Sequence, residues 1–135
     1  MGVNGVSRAN PVDIAVSGLR AQSLRMNVIS SNIANSSVSG ATGGSGYRRQ
    51  DVVLSTSPDG GVGDMQIVTD QQTPAKSVLQ PGAPGADANG YVQMSNVELP
   101  TEMINLVTAS RAYQANAAVL KRYQELQDVT LELLR

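Results

Sequence analysis

Histidine and cysteine are both absent from this chain. That removes the usual general base, the thiol nucleophile and the best zinc ligands together. Asp59 and Asp64 flank a turn signal, where carboxylates ordinarily bond to nearby backbone. The Gly-rich run from Ser36 to Gly46 has no Gly-Lys-Ser/Thr after it and no strand pattern before it, so it does not read as a phosphate-cradling loop. No set of nucleophile, base and oxyanion donors can be assembled. No enzymatic activity, metal or cofactor is expected. What remains is the chemistry of surfaces that meet. Arg111 and Tyr113, in Ser110-Arg111-Ala112-Tyr113-Gln114, are residue types common among interface anchors; they read as an inter-subunit contact or as a plain helix face. Asn32 and Asn35 suit the C-terminal cap of a helix and could also bond across to a partner helix. Arg48 and Arg49 read as a solvated strand edge or as a contact to an acidic neighbour.

Two long helical segments must position these groups. The first is expected from Val12 to Asn35, with Pro11 suited to its first turn. Val12, Leu19, Met26 and Ile33 repeat every seven residues, with Ala15 and Ile29 between them and Gln22 where a third apolar residue is expected. The second is expected from Glu98 to Arg135. Leu106, Tyr113, Leu120 and Leu134 share one seam, and Ala112, Val119, Leu126 and Leu133 a second, one residue offset. A helix with two adjacent seams buries both only between neighbours. Ser95 and Glu98 have the spacing of a capping box, and Pro100 is tolerated only in the first turn. The helices should span about 36 Å and about 51 Å.

Between them, Tyr47–Ser55 and Val62–Asp70 read as paired strands around Ser57-Pro58-Asp59-Gly60-Gly61, with Asp-Gly supplying the positive φ. Met65 and Ile67 should face away from Gln66 and Val68. A lone hairpin is marginal in water and should pack on something. Residues 73–90 read as a second loop and Tyr91–Met94 as a last short strand. The fold class expected is mainly α. Long N- and C-terminal helices pack as an antiparallel coiled-coil-like hairpin, with a small β-hairpin and loop excursion between them. The division is 1–36, 37–97 and 98–135.

Composition points to an assembly. Phe and Trp are absent and four tyrosines are the only aromatics, so an isolated copy has a thin core. Residues 1–50 carry five arginines and one aspartate, and residues 51–135 five basic and ten acidic groups. The halves can attract within or between chains, though exposed pairs are individually weak. No basic run interleaved with aromatics points to nucleic acid. No signal peptide or membrane span is expected. The first ten residues read as pliant, and the Ser36–Gly46 loop as mobile.

Particular residues now bear on family. Met26-Asn27-Val28-Ile29-Ser30 followed by Ser31-Asn32-Ile33-Ala34-Asn35 resembles the N-terminal motif of bacterial flagellar rod and hook proteins. Glu102-Met103-Ile104-Asn105-Leu106, then Ser110 to Asn116, resembles their C-terminal motif. Tyr47 to Val53, Pro81 to Val92 and Met94-Ser95-Asn96-Val97 resemble the proximal rod members. The likeness runs in order over nearly the whole chain from Asp13. The Lys121–Asp128 stretch is more charged than the family pattern, and the Ser36–Gly46 loop is longer. The resemblance implies a shaft subunit whose terminal helices pack in an inner tube, exported by the flagellar type III apparatus without a cleaved signal peptide. Implied partners are other copies, neighbouring rod proteins and the membrane-ring and export-gate end of the basal body, with no nucleic acid and no membrane insertion. Seams and motifs together nominate Leu19, Met26, Ile29, Asn32, Ile33, Asn35, Met103, Leu106, Arg111, Tyr113, Gln114, Asn116, Leu120 and Leu126 as contact residues. The competing classes are a sibling axial subunit and a soluble helical adaptor or export chaperone.

Overall fold

The computed structural model describes residues 10–40 and 44–135. The pliant N-terminus and the centre of the Gly-rich loop expected from sequence lie largely outside the described residues. Helix α1 spans Pro11–Ala34 and α2 spans Leu99–Leu133, each within a residue or two of expectation. Asn10 caps α1 by accepting from Val12 N–H, with Pro11 at the start of the helix, where its missing donor costs nothing. Asn35 closes the other end. Its backbone N–H reaches Ser31 O at 3.0 Å and its carboxamide reaches the same carbonyl at 2.8 Å.

The helices pack antiparallel, because contacts run in opposite chain order. Asn32 bonds Glu102, Gly18 faces Asn116, and Pro11 lies beside Val119 and Leu126. The side of α1 turned toward α2 carries Ala15, Gly18, Gln22, Ile29 and Asn32, and α2 answers with Glu102, Ala109, Ala112 and Asn116. Ala15, Gln22 and Ile29 of the expected seam lie on this line, and the rest of the seam is corrected. Val12, Leu19, Met26 and Ile33 are only half-buried. Ala15, Gly18, Ala109 and Ala112 let the backbones approach, Ile29 is the one large apolar side chain on the inner line, and the other large ones stand at the flanks.

Between the helices, β1 (Gln50–Thr56) and β2 (Val62–Thr69) form an antiparallel ribbon. Its turn uses Gly60 at φ +89°, a conformation that costs glycine little. Val52 pairs with Ile67 and Leu54 with Met65. With Val52 buried, the β1 side of this face lies against α1 while Met65 and Ile67 across from it stay exposed; Asp51, Val53, Gln66 and Val68 share the other face, in the alternation expected. Ser17 fixes the ribbon's far end by accepting from Val62 N–H at 3.0 Å.

Two further expectations fail. The stretch 73–90 is not all loop, since β3 (Ser77–Leu79) pairs with β4 (Tyr91–Gln93). Three residues are too few to show a strand period, and only the partner reveals the strand. The capping box does not form. Ser95 Oγ instead accepts from Val97 N–H, and Glu98 makes no cap bond but pairs with Lys76 at 2.8 Å. The sparse apolar core is Ala15, Ala21, Val28, Ile29, Val52, Val92, Val97 and Ala109.

A Cβ at Gly46 would stand 2.6 Å from Val38 O and 2.7 Å from the Met94 carbonyl carbon. Backbone cannot swing aside as a side chain can. Gly46→Ala should therefore lower stability by about 1–3 kcal/mol. At Gly18 the obstacle is the end of the Asn116 side chain, and alanine is the better helix former by about 1 kcal/mol. Gly18→Ala should stay within about 1 kcal/mol of the parent. Thermal melts followed by circular dichroism check the pair; equal losses at both sites would contradict the packing.

Candidate functional site

Beneath the crossing of the helix ends lies a buried polar hub. Asn32 has 0% of its surface exposed, yet its carboxamide is fully used. Its Nδ2 donates to Gln50 O at 2.8 Å and to Glu102 Oε2 at 3.1 Å. Its Oδ1 accepts from Gln50 N–H at 2.9 Å and from the Tyr47 hydroxyl at 3.0 Å. The side chain thus meets Gln50 as a neighbouring strand would, giving and taking one bond at the free edge of β1.

Glu102 sits in the first turn of α2 with 1% of its surface exposed. Arg49 Nε donates to its Oε1 at 2.7 Å, and Arg49 Nη1 also reaches Asp51 at 3.4 Å. Burial works against the charge on Arg49, but the hydrogen bond and charge of Glu102, helped by Asp51, outweigh it and raise the guanidinium above its ordinary value. It therefore stays charged at any pH at which the chain is folded.

The network continues through Arg49's backbone. Its N–H donates to Asn96 Oδ1 at 2.7 Å, and its carbonyl accepts from Asp70 N–H at 2.8 Å. Asn96 Nδ2 lies 3.3 Å from Asp70 O and 3.2 Å from Thr73 O. The Asp70 carboxylate shapes that loop by accepting from Gln72 N–H, Thr73 N–H and the Thr73 hydroxyl. Foremost the Thr73 hydroxyl, then the two amides, hold its carboxyl below the ordinary 3.8.

The nominated residues divide by depth. Ile29 and Asn32 are buried within the chain and cannot also face a neighbour as they stand. Asn35 is spent on the helix end, and Asn116 is half-buried against Gly18. Leu19, Met26, Ile33, Leu106 and Leu120 are half-buried along the flanks. Met103, Arg111, Tyr113, Gln114 and Leu126 are exposed. Sequence reasoning missed Ile104, 67% exposed, and Val107, both outward on α2. It also missed Glu102 and Arg49 as a pair. The available signal was a charged residue in the first turn of an apolar helix, opposite an arginine pair left without a partner.

Four motif stretches converge here: Ser31–Asn35, Tyr47–Val53, Met94–Val97 and Glu102–Leu106. Residues 13–42 match the family described as flagella basal body rod protein, and residues 88–133 match the C-terminal family of the flagellar basal body rod FlgEFG proteins. The chain is 44% identical over 128 residues to the flagellar basal-body rod protein FlgC of Salmonella typhimurium, covering 92% of this chain and 96% of that one. It is 44% identical over 133 residues to the FlgC of Yersinia enterocolitica, covering 95% and 98%. The FlgC of Escherichia coli O157:H7 is 43% identical over 128 residues, covering 92% and 96%. The chain belongs to the FlgC family of flagellar basal-body rod proteins. In this FlgC-family chain one matched segment covers α1 from Asp13 on and the other contains α2, and Asn32 and Glu102 bind the two helices to each other. Arg49 and Gln50 come from the stretch between.

Removing Glu102 would strand the Arg49 guanidinium and orphan one donor of Asn32. Glu102→Ala should cost about 3–5 kcal/mol, the usual penalty for breaking a buried pair from one side. Glu102→Gln, which keeps an acceptor oxygen, should cost less. Urea unfolding of both variants checks this; equal losses would show that the charge is not what matters. Asp70 makes a separate expectation. Its folded pKa lies below the unfolded one, so its contribution is present above about 3.8 and is lost as pH falls through the lower folded value. The Gln72 and Thr73 amide resonances should titrate together with a midpoint below 3.8; a midpoint at or above that value would contradict the bonds.

Proposed function

We propose that this chain is a structural subunit of the proximal rod of the bacterial flagellum, passing torque from the motor ring toward the distal rod and hook. The observation that carries the reading is identity of 44% to a flagellar rod protein across 92% of the chain. The packing is in keeping with it. Alanine, glycine and polar residues with Ile29 line the inner seam, and most larger apolar side chains stand at the flanks and outside. Such a chain leaves apolar surface for neighbours to cover.

In this reading residues 1–36 and 98–135 lie in the inner tube as a coiled-coil-like pair, and residues 37–97 form the insert outside it. Leu19, Met26, Ile33, Met103, Leu106, Arg111, Tyr113, Gln114, Leu120 and Leu126 touch neighbours. Ile29, Asn32, Asn35 and Asn116 keep the subunit in shape for those contacts. Partners are other copies, adjoining rod proteins and the ring and export-gate end of the basal body. The subunit reaches the periplasmic rod through the flagellar export apparatus without a cleaved signal peptide. Its role is mechanical rather than catalytic. Torque passes as shear across side chains packed at crystal-like density.

Electron microscopy of basal bodies from a strain lacking the gene tests the proposal. Rings without a rod, in non-motile cells that swim again when the gene is restored, are expected. A complete rod with normal swimming would overturn it. An adaptor or chaperone would purify as a stable closed dimer, whereas this chain should sediment as a monomer.

A further inference from the structure

Two surfaces of this chain are complementary but cannot meet within one copy. The first is the outer face of the β1–β2 ribbon, where Asp64 stands with exposed Val53 and Val68, while Asp51 on the same face is taken up by Arg49 of its own chain. From Gln50 to Asp70 there are four aspartates and no basic residue; with Asp51 so paired and Asp70 bonded within its own loop, Asp59 and Asp64 are left. The second is the side of α2 turned away from α1. From Met103 to Gln124 there are three basic residues, Arg111, Lys121 and Arg122, and no acidic one. Exposed Met103, Ile104 and Val107 lie on the same stretch. Arg122 is partly answered by Glu125 at 3.0 Å. Among the described residues, Arg111, Lys121 and Asp64 have no ion-pair partner. The ribbon packs on α1 through Val52, so Asp64, Val53 and Val68 on its other face point away from α1.

We infer that the acidic, apolar outer face of the β1–β2 ribbon of one copy docks on the basic, apolar outer face of α2 of a second copy. The inference rests on the rod reading and deepens it by naming which surfaces of adjacent copies meet. Opposite charges favour this docking, whereas ribbon on ribbon or α2 on α2 would set like charges together. The two patches are different surfaces, so the contact is heterologous. Each copy offers one patch upward and one downward, and the series continues unless the rotation happens to close. The apolar groups supply the area, and the charges fix the partner and the register.

The absence of cysteine allows a clean test. Gln66→Cys lies on the outer ribbon face and Gln114→Cys on outer α2, and both side chains are exposed. Basal bodies carrying either single variant or both are isolated and treated with a short bis-maleimide. A ladder of cross-linked multimers of this chain from the double variant, with neither single variant giving dimers, is the expected result. Dimers from a single variant would overturn the inference in favour of a symmetric contact. A product joining this chain to a different protein would overturn the choice of a second copy. No product from basal bodies that contain the double variant would overturn the docking itself while leaving the rod reading standing. Absence of the chain from basal bodies would overturn the rod reading and this contact with it. In the double-cysteine background, Arg111→Glu should reduce the ladder roughly two- to five-fold, the effect of one exposed ion pair. Adding Asp64→Arg should restore it; failure to restore would show that these charges do not meet.

Discussion

Glu102 is the charge on which the arrangement depends. A carboxylate with 1% of its surface exposed has given up its water and must find donors, at a cost of several kcal/mol if it does not. The whole stability of a domain is about 5–15 kcal/mol, so this cost cannot be spread thinly over other contacts. Asn32 on α1 and Arg49 before β1 meet it. Arg49's backbone then fixes Asn96 and the Asp70 loop, and Asn32 fixes the edge of β1. One buried charge thereby sets both helices and the insert in a single register. Apolar contact of equal area could hold the parts together as tightly, but it is non-directional. The small residues along the inner helix line would let α1 slide past α2, and the hub supplies the direction that they lack.

The division of side chains by size follows from the same geometry. Ala15, Gly18, Ala109 and Ala112 allow close approach of the helices, and large side chains there would drive them apart. Leu19, Met26, Leu106 and Leu120 are therefore left at the flanks, and Met103, Ile104, Val107 and Leu126 outside. A water-soluble chain working alone would place them the other way round.

Much of this was legible in the sequence. Helix periodicity, Pro11, and the Asp-Gly turn gave both long helices and the ribbon, with ends close to those observed. Period alone does not say which of several seven-residue seams faces the partner within the chain. The larger apolar residues drew attention to Val12, Leu19, Met26 and Ile33, whereas close approach selects the smaller ones. Asn32 reads from sequence as a helix cap that can also bond across to the partner helix, and it does reach α2, but the sequence does not name the residues it meets. Its partners lie 18 and 70 residues away, and no local pattern reports a bond at that separation. Glu102 was hidden for the same reason. Ser95 and Glu98 had the spacing of a capping box, but Ser95 folds onto Val97 and Glu98 is drawn off by Lys76. Strand β3 escaped because three residues have no measurable period.

The thin core and the exposed apolar surface are two sides of one arrangement. Among the described residues the buried apolar side chains are alanines, valines and one isoleucine; the alanines contribute less than the roughly 1.5–3 kcal/mol of each buried valine or isoleucine, and no buried aromatic adds to them. A single copy consequently holds little stability in reserve. Any neighbour that binds the folded form and not the unfolded one adds stability in proportion to the logarithm of its effective concentration. In the proposed shaft that concentration is high, because each subunit sits among neighbours already in place. The thin core and the apolar surface offered to neighbours then have a common origin, the displacement of large apolar side chains from the inside of the subunit to its outside. The hub is the exception that makes this workable. It keeps α1, α2 and the insert in one register while the core is thin, so that the outer surfaces are already in position when a neighbour arrives.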